Sequence, residues 1–295
     1  MRFIKNNFLW IIFLFILCFT SIKEGIRYNE NYQRKVESYI KSDGKCPYYS
    51  ETDEEYNRLC DEQYAKGMPI KYDTVTLSYY LLNNTDLFYN LIPVFPILLI
   101  AFSIKNFYKE LKSGMFRNIL FKEEYKKYIK KKILGTWKHA LLLPVYLLFN
   151  FLVAFIISGH FDYQAVLNYY EYPPMDRYLY SNILYFVFTY VVVILLHSLF
   201  WINLGLITMR KSRNYVAAVI LGYILFLAIS LGLEIIGMIF FKKYICYFLI
   251  GVIWTYESVQ LPGMLVYALL LAIISSIFVY FLYRNKEKVI IIHET

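Results

Sequence analysis

Six apolar blocks, separated by charged stretches, constrain the fold of this 295-residue chain more than any other feature. A hydrocarbon core of about 30 Å needs roughly 20 apolar residues in an α-helix. The blocks are Phe8–Ser21, Leu87–Ser103, Ala140–Ser158, Asn182–Met209, Tyr215–Phe241 and Gly263–Tyr283. We therefore predict an all-α integral membrane protein with six transmembrane helices.

The composition excludes other classes of protein. Hydrophobic residues make up 59% of the chain and aromatic residues 20%, whereas soluble domains are about 45 to 50% apolar. Neither a soluble globule nor a disordered chain fits these proportions. Four cysteines are too few for a disulfide scaffold in a chain of this length.

The basic residues predict the orientation, because cytoplasmic loops of membrane proteins keep an excess of Lys and Arg. With the amino terminus inside, the inner segments hold 19 basic residues, eleven of them between Lys105 and Lys138. The two short outer loops hold only Arg177, Lys242 and Lys243. We expect a multi-pass protein of the cell membrane, in a bacterium its cytoplasmic membrane, with both termini cytoplasmic. Because the charges follow this pattern, the net charge of +9 needs no nucleic-acid partner.

The amino-terminal third divides into a helix and an outer domain. Residues 1–22 are predicted to form transmembrane helix 1, an uncleaved anchor, because no Ala-x-Ala-like cleavage site follows the apolar run. A cleaved signal peptide is the alternative. Residues 23–86 are predicted to form a polar extracellular loop domain, which contains Cys46 and Cys60. An oxidising exterior permits a disulfide between these two cysteines, and two free thiols are the other interpretation.

Transmembrane helix 2, residues 87–103, leads into a basic loop at residues 104–139. Apolar residues recur there at helical spacing with Lys on the opposite positions, which predicts short amphipathic helices on the cytoplasmic surface. The apolar positions are Met115, Phe116, Ile119, Leu120, Tyr125, Tyr128, Ile129 and Ile133. A basic interfacial helix held by anionic membrane lipid is the alternative interpretation of the same pattern.

The segment Glu-x-x-x-Gly-x-x-x-x-Ile-Leu between helices 2 and 3 resembles the permease subunit of an ABC-2 type transporter. Its matching positions are Glu110, Gly114, Arg117, Ile119 and Leu120. In that family the segment is a coupling helix that docks on the ATPase subunit, and Phe116, Ile119 and Leu120 would be its apolar anchors. Residues 140–295 would hold helices 3–6, a re-entrant segment at 244–256 similar to one in that family, and a short cytoplasmic tail.

The resemblance also implies the partners. The chain has no phosphate-binding loop, because the Gly44-Lys45 pair lacks the required glycine five residues earlier. ATP and Mg²⁺ would therefore be bound by separate ATPase subunits, and this chain would be no enzyme and would need no cofactor. A second copy or a related permease would complete a dimer that exports an amphiphilic substrate, such as an antimicrobial peptide, a lipid or a drug. The alternative function is a non-transporting receptor or immunity-type membrane protein whose outer domain binds a ligand.

Four polar side chains interrupt the predicted spans, at Asn150, His197, Asn203 and Glu234. Polar groups in a membrane are costly, so these residues are candidates for a translocation path. Hydrogen bonding to neighbouring helices is the alternative. The histidines lack the spacing of metal ligands. Two small-residue pairs, Ala218 with Gly222 and Ala228 with Gly232, predict close helix packing.

Overall fold

The computed structural model describes residues 2–43, 54–65, 67–84, 94–113, 124–161, 183–241 and 261–284. These residues form nine α-helices and no strand. The helices are α1 (Arg2–Lys41), α2 (Glu54–Ala65), α3 (Thr74–Asn84), α4 (Phe95–Lys112), α5 (Tyr125–Trp137), α6 (Leu142–Ser158), α7 (Ile183–Lys211), α8 (Tyr215–Phe241) and α9 (Leu261–Arg284). A 3₁₀ turn, Lys138–Leu141, joins α5 directly to α6.

Four helices are long and apolar enough to cross a membrane, among the residues whose side chains are described. They are Tyr125–Ser158, Val191–Lys211, Tyr215–Leu233 and Leu265–Arg284. These ranges overlap predicted helices 3–6, and the first begins at Tyr125, before the predicted start at Ala140. The all-α, multi-pass membrane class is confirmed. Predicted helices 1 and 2 fall on α1 and α4, and the total of six remains a prediction. The re-entrant segment 244–256 lies outside the described residues.

Several helix bounds differ from those predicted. The first helix continues to Lys41 instead of ending near residue 22. Ion pairs at helical spacing, Arg27 with Glu24 and Arg34 with Glu30, support its polar half. Helix α4 likewise extends past residue 103 to Lys112. Pro96 lies in the first turn of α4, where its missing N–H breaks no hydrogen bond.

The chain divides into two compact units. Unit 1 contains residues 1–15, 90–147 and 184–295, and unit 2 contains residues 16–89 and 148–183. Unit 1 thus holds α4, α5, α7, α8 and α9, together with the 3₁₀ turn and the first residues of α6. Unit 2 holds most of α1, the helices α2 and α3, and the rest of α6.

A small core of unit 2 joins α1, α3 and α6. Its buried side chains are Tyr28, Leu77, Leu81, Val153 and Ala154. The carboxylate of Asp73 begins α3 by accepting hydrogen bonds from the backbone N–H groups of Val75 (3.1 Å) and Thr76 (3.3 Å). The hydroxyls of Thr74 and Ser158 lie 2.7 Å apart and link the start of α3 to the end of α6.

Close helix packing in unit 1 depends on two glycines that face α4. A Cβ atom at Gly205 would lie 2.8 Å from Ile100 Cγ2, and one at Gly222 would lie 3.3 Å from Ile100 Cδ1. The pair Ala218 and Gly222 therefore packs closely, as predicted, and the carbonyl of Ala218 accepts a 2.8 Å hydrogen bond from Thr208 Oγ1. A Cβ atom at Gly232 would meet no described atom within 4 Å, so the second small-residue pair makes no close contact with the described residues.

The surface of unit 1 is typical of a protein in lipid. Large apolar side chains on α8 and α9 are exposed, including Leu231 at 59% and Phe281 at 61%. Polar side chains such as His197, Asn203 and Ser275 are buried between the helices instead. Water would penalise this distribution, whereas a hydrocarbon environment favours it.

Candidate functional site

Polar side chains hold several helix ends together at one end of unit 1. Tyr108 Oη on α4 donates a 2.8 Å hydrogen bond to the carbonyl of Arg213, just before α8. Tyr283 Oη on α9 donates a 2.9 Å hydrogen bond to the carbonyl of Leu206 on α7. The guanidinium of Arg210 donates to the carbonyl of Leu282. Leu282 lies in the last turn of α9, where backbone carbonyls have no partner within the helix.

The same helix ends carry a dense positive charge, and we name this region the basic end. Its basic residues are Lys105, Lys109, Lys112, Lys126, Lys127, Lys130, Lys131, Lys132, Arg210, Lys211, Arg213 and Arg284. Glu110 and Glu124 are the acidic residues that the described parts of these helices contribute. The structure therefore brings together charges from three segments that the sequence predicts to be cytoplasmic.

Glu110 joins α4 to α5 within the basic end. Its carboxylate accepts a 2.8 Å hydrogen bond from Tyr128 Oη and a 2.5 Å hydrogen bond from Lys132 Nζ. Lys132 Nζ also lies 5.6 Å from the centroid of the Tyr128 ring. We name Glu110, Tyr128 and Lys132 the Glu110 cluster. Because both carboxylate oxygens are used inside the chain, Glu110 positions the two helices.

The other predicted coupling residues, Gly114, Phe116, Arg117, Ile119 and Leu120, lie outside the described residues. Segment 114–123 connects the C-terminus of α4 to the N-terminus of α5 along the chain. The Glu110 cluster therefore joins the helix that precedes this segment to the helix that follows it. Helix α5 follows this segment, and its Tyr128 and Ile129 side chains are buried. Its predicted place on the cytoplasmic surface stays a prediction.

Buried hydrogen bonds around Asn203 connect α5, α7 and α9. Trp137 Nε1 donates a 2.8 Å hydrogen bond to Asn203 Oδ1. Asn203 Nδ2 donates to the hydroxyls of Ser275 and Ser276, each at 3.0 Å. Three of the four hydrogen-bonding capacities of the side chain are thus used within the chain, which matches the structural interpretation of Asn203.

His197 lies on the same helix and also faces α9. Its Nδ1 is 2.9 Å from the carbonyl of Val193, and its ring centroid is 6.3 Å from that of Tyr267. The ring is fully buried, and Nε2 has no hydrogen-bond partner among the described residues. His197 and Asn203 therefore lie along one helix interface of unit 1.

The other two candidate path residues are Asn150 and Glu234. Asn150 belongs to unit 2, where its Nδ2 donates 3.0 Å hydrogen bonds to the carbonyl and hydroxyl of Ser78. Glu234 lies in helix α8, and its side chain is outside the described atoms. A single path lined by all four residues stays a prediction.

Cys60 is disulfide-bonded, and its predicted partner, Cys46, lies outside the described residues.

Sequence reasoning missed the tyrosines at the helix ends and the partners of Asn203. The available signals were the Ser275-Ser276 pair in an apolar helix and the position of Tyr108, Tyr125 and Tyr283 beside basic residues. In the described part of the chain, no group of three or more His, Cys, Asp or Glu side chains could hold a metal ion.

No family model matches the chain, and no match is found among curated proteins or solved structures. The fold and the apolar helices define the class of the molecule, an all-α protein with several membrane-spanning helices.

Proposed function

We propose that this chain is the permease subunit of an ATP-driven ABC-2 type exporter. The proposal starts from the resemblance of Glu110, Gly114, Arg117, Ile119 and Leu120 to the coupling segment of that family. The observation that carries it is the Glu110 cluster, because its hydrogen bonds clamp the helices on either side of segment 114–123. A coupling element needs such a stiff connection to the helices that it moves.

Motion of this segment would reach the membrane helices by two routes. Helix α5 continues through the 3₁₀ turn into α6, forming one apolar helical stretch from Tyr125 to Ser158. Helix α4 packs against α8, where Tyr215 Oη donates a 2.5 Å hydrogen bond to the carbonyl of Ala101. In our proposal, closure of the ATPase partners pushes on Arg117, and α4 and α8 then tilt together at the interface of a permease dimer.

The remaining parts of the proposal concern partners and cargo. Two cytoplasmic ATPase subunits supply ATP and Mg²⁺, and a second copy or a related permease completes the transporter. The cargo is amphiphilic, such as an antimicrobial peptide, a lipid or a drug, and it leaves the cell. The exposed side chains of the basic end, such as Lys109 and Lys131, favour a partner with an acidic docking groove.

Detergent co-purification tests the proposal. The tagged chain is purified with the ATPase encoded beside it, and wild type is compared with Phe116→Asp and Leu120→Asp. We expect both variants to lose the ATPase while remaining folded, because a charge removes an apolar anchor. The control is Ile40→Asp, which introduces the same charge at an exposed position of unit 2. Retention of the ATPase by both coupling variants, or no ATPase partner at all, would contradict the proposal.

A cavity in unit 2 favours the second candidate function, a non-transporting receptor or immunity-type protein. It has a volume of about 320 Å³ and is lined by Tyr28, Tyr32, Tyr72 and Tyr80 with Arg34 and Lys35 at its edge. Aromatic faces beside two cations suit a small anionic or aromatic ligand. An intact unit 2 with ligand binding and no ATPase partner would support this function over transport.

A further inference from the structure

A groove between α5 and α9 combines positive charge with an apolar floor, and we name it the α5–α9 groove. Its volume is about 550 Å³, which lies within the range of small-molecule sites. Lys126, Lys130 and Arg284 supply its charge. Its other lining residues are Tyr125, Ile129, Ile133, Leu134, Trp137, Ser276, Val279, Tyr280 and Tyr283.

Hydrogen bonds at both ends fix how the groove is oriented. At one end, Tyr125 Oη donates a 2.8 Å hydrogen bond to the carbonyl of Tyr283, which places Lys126 and Arg284 close together. At the other end, Trp137 and Ser276 are joined through Asn203. The distance from Lys126 to Trp137 along α5 is about 16 Å at the rise of an α-helix. Charge is therefore concentrated at one end, and the apolar floor extends away from it.

The side chains of the three cations at the charged end are exposed. Within the described part of the chain, none of them forms an ion pair. The described residues that line the groove include no acidic side chain. The local charge thus favours an anion, and an Arg beside two Lys is a strong combination for phosphate oxygens.

The depth of the groove in the membrane identifies the class of the anion. The apolar helix Leu265–Arg284 ends at the charged end of the groove, so the cations lie where lipid headgroups begin. The floor, from Val279 to Ser276 on α9, lies within the apolar part of the same helix. A molecule that fills the groove needs an anionic head and an apolar chain of at least the groove's length. Anionic phospholipids of the same leaflet have this chemistry.

We propose that the α5–α9 groove is a binding site for an anionic phospholipid, with its phosphate on Lys126, Lys130 and Arg284 and an acyl chain along Ile133 and Trp137. The bound lipid fills the space between α5 and α9 beside the Glu110 cluster. This site does not depend on the proposed transport function.

Trp137 on the groove floor provides a direct test. The full chain, with Trp10→Phe, Trp201→Phe and Trp254→Phe, is placed in phosphatidylcholine vesicles that contain a minor fraction of phosphatidylglycerol. One preparation carries bromine on the acyl chains of phosphatidylglycerol, and the other carries it on phosphatidylcholine at the same mole fraction. Bromine quenches a tryptophan that it contacts. We expect phosphatidylglycerol to be enriched at Trp137 by roughly tenfold over its bulk fraction.

Two triple variants that remove the same number of positive charges distinguish a specific lipid site from diffuse attraction of the lipid to a basic surface. Lys126→Gln/Lys130→Gln/Arg284→Gln should abolish the enrichment. Lys105→Gln/Lys109→Gln/Lys112→Gln alters exposed lysines of the basic end that do not line the groove, and it should retain most of the enrichment. Equal losses in the two variants, or equal quenching by the two brominated lipids in wild type, would overturn the proposal. Unchanged quenching by brominated phosphatidylcholine confirms that each variant is folded and inserted.

A second variant tests the apolar floor. Leu134→Trp in a Trp137→Phe background fills the groove without changing its charge, and its own indole becomes the probe. We expect the preference for phosphatidylglycerol to fall at least about threefold. Val145→Trp, in the same background, places the indole at an exposed position away from the groove. If the indole of Val145→Trp shows the same preference for phosphatidylglycerol as Trp137 does, the proposal is also overturned.

Discussion

Lys132 on α5 donates a 2.5 Å hydrogen bond to the carboxylate of Glu110 on α4, and both side chains are less than one-third exposed. The pair lies at the point where the two helices meet at the basic end. An ion pair in this partly buried position contributes more than one on an open surface, where solvent screening leaves little net stabilisation.

A double-mutant cycle should measure this contribution. We expect Glu110→Gln and Lys132→Met to couple by about 1 kcal/mol in the free energy of unfolding in detergent. The control cycle pairs Glu110→Gln with Lys131→Met, which removes the same charge from the neighbouring exposed lysine. Its coupling should be close to zero. Similar coupling in the two cycles would show that Glu110 responds only to the overall positive charge.

Asn203 should stabilise unit 1 through its three hydrogen bonds. Replacement by Leu leaves the N–H of Trp137 without its acceptor and removes the two bonds from Asn203 Nδ2. The two serine hydroxyls still donate to the carbonyl of Ala272. Because each hydrogen bond between membrane helices contributes about 0.6 kcal/mol, we expect a loss of about 2 kcal/mol. In a double-mutant cycle measured by unfolding in mixed micelles, Asn203→Leu and Trp137→Phe should be non-additive. The control is Asn150→Leu in unit 2, which should show no coupling with Trp137→Phe. Additive effects of Trp137→Phe and Asn203→Leu would contradict the observed bond.

Gly205→Ala should weaken the contact between α7 and α4. The new methyl group would lie 2.8 Å from Ile100 Cγ2 and 3.0 Å from Ile104 Cγ2, so the helices must separate. Overpacking of this kind costs about 1 to 3 kcal/mol. The matched control is Gly135→Ala in α5, where no described atom lies within 4 Å of the new methyl group, and helix propensity should make it neutral or stabilising. Equal melting temperatures for the two variants would exclude close packing at Gly205.

Tyr28 should make unit 2 sensitive to alkaline pH. Burial raises the pKa of its phenol above the ordinary value of 10, so the unfolded chain ionises first. The stabilisation is complete below about pH 10 and declines as the pH rises toward the folded pKa. Tyr28→Phe should flatten that decline in the free energy of unfolding. At neutral pH it should cost about 1 kcal/mol, because the backbone N–H of Tyr72 loses its 2.7 Å hydrogen bond to Tyr28 Oη.

The control for this prediction is Tyr39→Phe, on the same helix but outside the core of unit 2. It should leave the alkaline decline unchanged. An identical pH profile in wild type and Tyr28→Phe, measured by denaturant titration between about pH 8 and pH 11, would exclude the role given to the buried phenol.

Hydropathy was sufficient to locate helices α6 to α9, because the apolar length needed to cross a bilayer is a local property of the sequence. The polar half of α1 was missed because hydropathy does not detect a helix without a long apolar run. Residues 23–41 have no long apolar run, and their ion pairs at helical spacing are a weaker signal than hydropathy. Helix α4 was predicted too short because its last turns carry Lys109, Glu110 and Lys112.

The sequence predicted individual site residues better than their partners. Glu110 and Asn203 were identified by motif and by the cost of polar groups in a membrane. Their contacts with Lys132 and Ser275 depend on which faces of separate helices meet, and helical periodicity does not define the axial offset between two helices. The α5–α9 groove was missed for the same reason, since it exists only between two helices distant in sequence.

The 3₁₀ turn Lys138–Leu141 also sets the angular phase of α6 relative to α5. An α-helix advances about 100° per residue and a 3₁₀-helix about 120°. Over four residues the tighter winding adds about 80° of rotation and about 2 Å of length. Conversion of this turn to α-helix would therefore rotate α6 about its axis by nearly a quarter turn and shorten the connection. Pro144, in the first turn of α6, opposes that conversion because it has no N–H to donate to the carbonyl of Ala140.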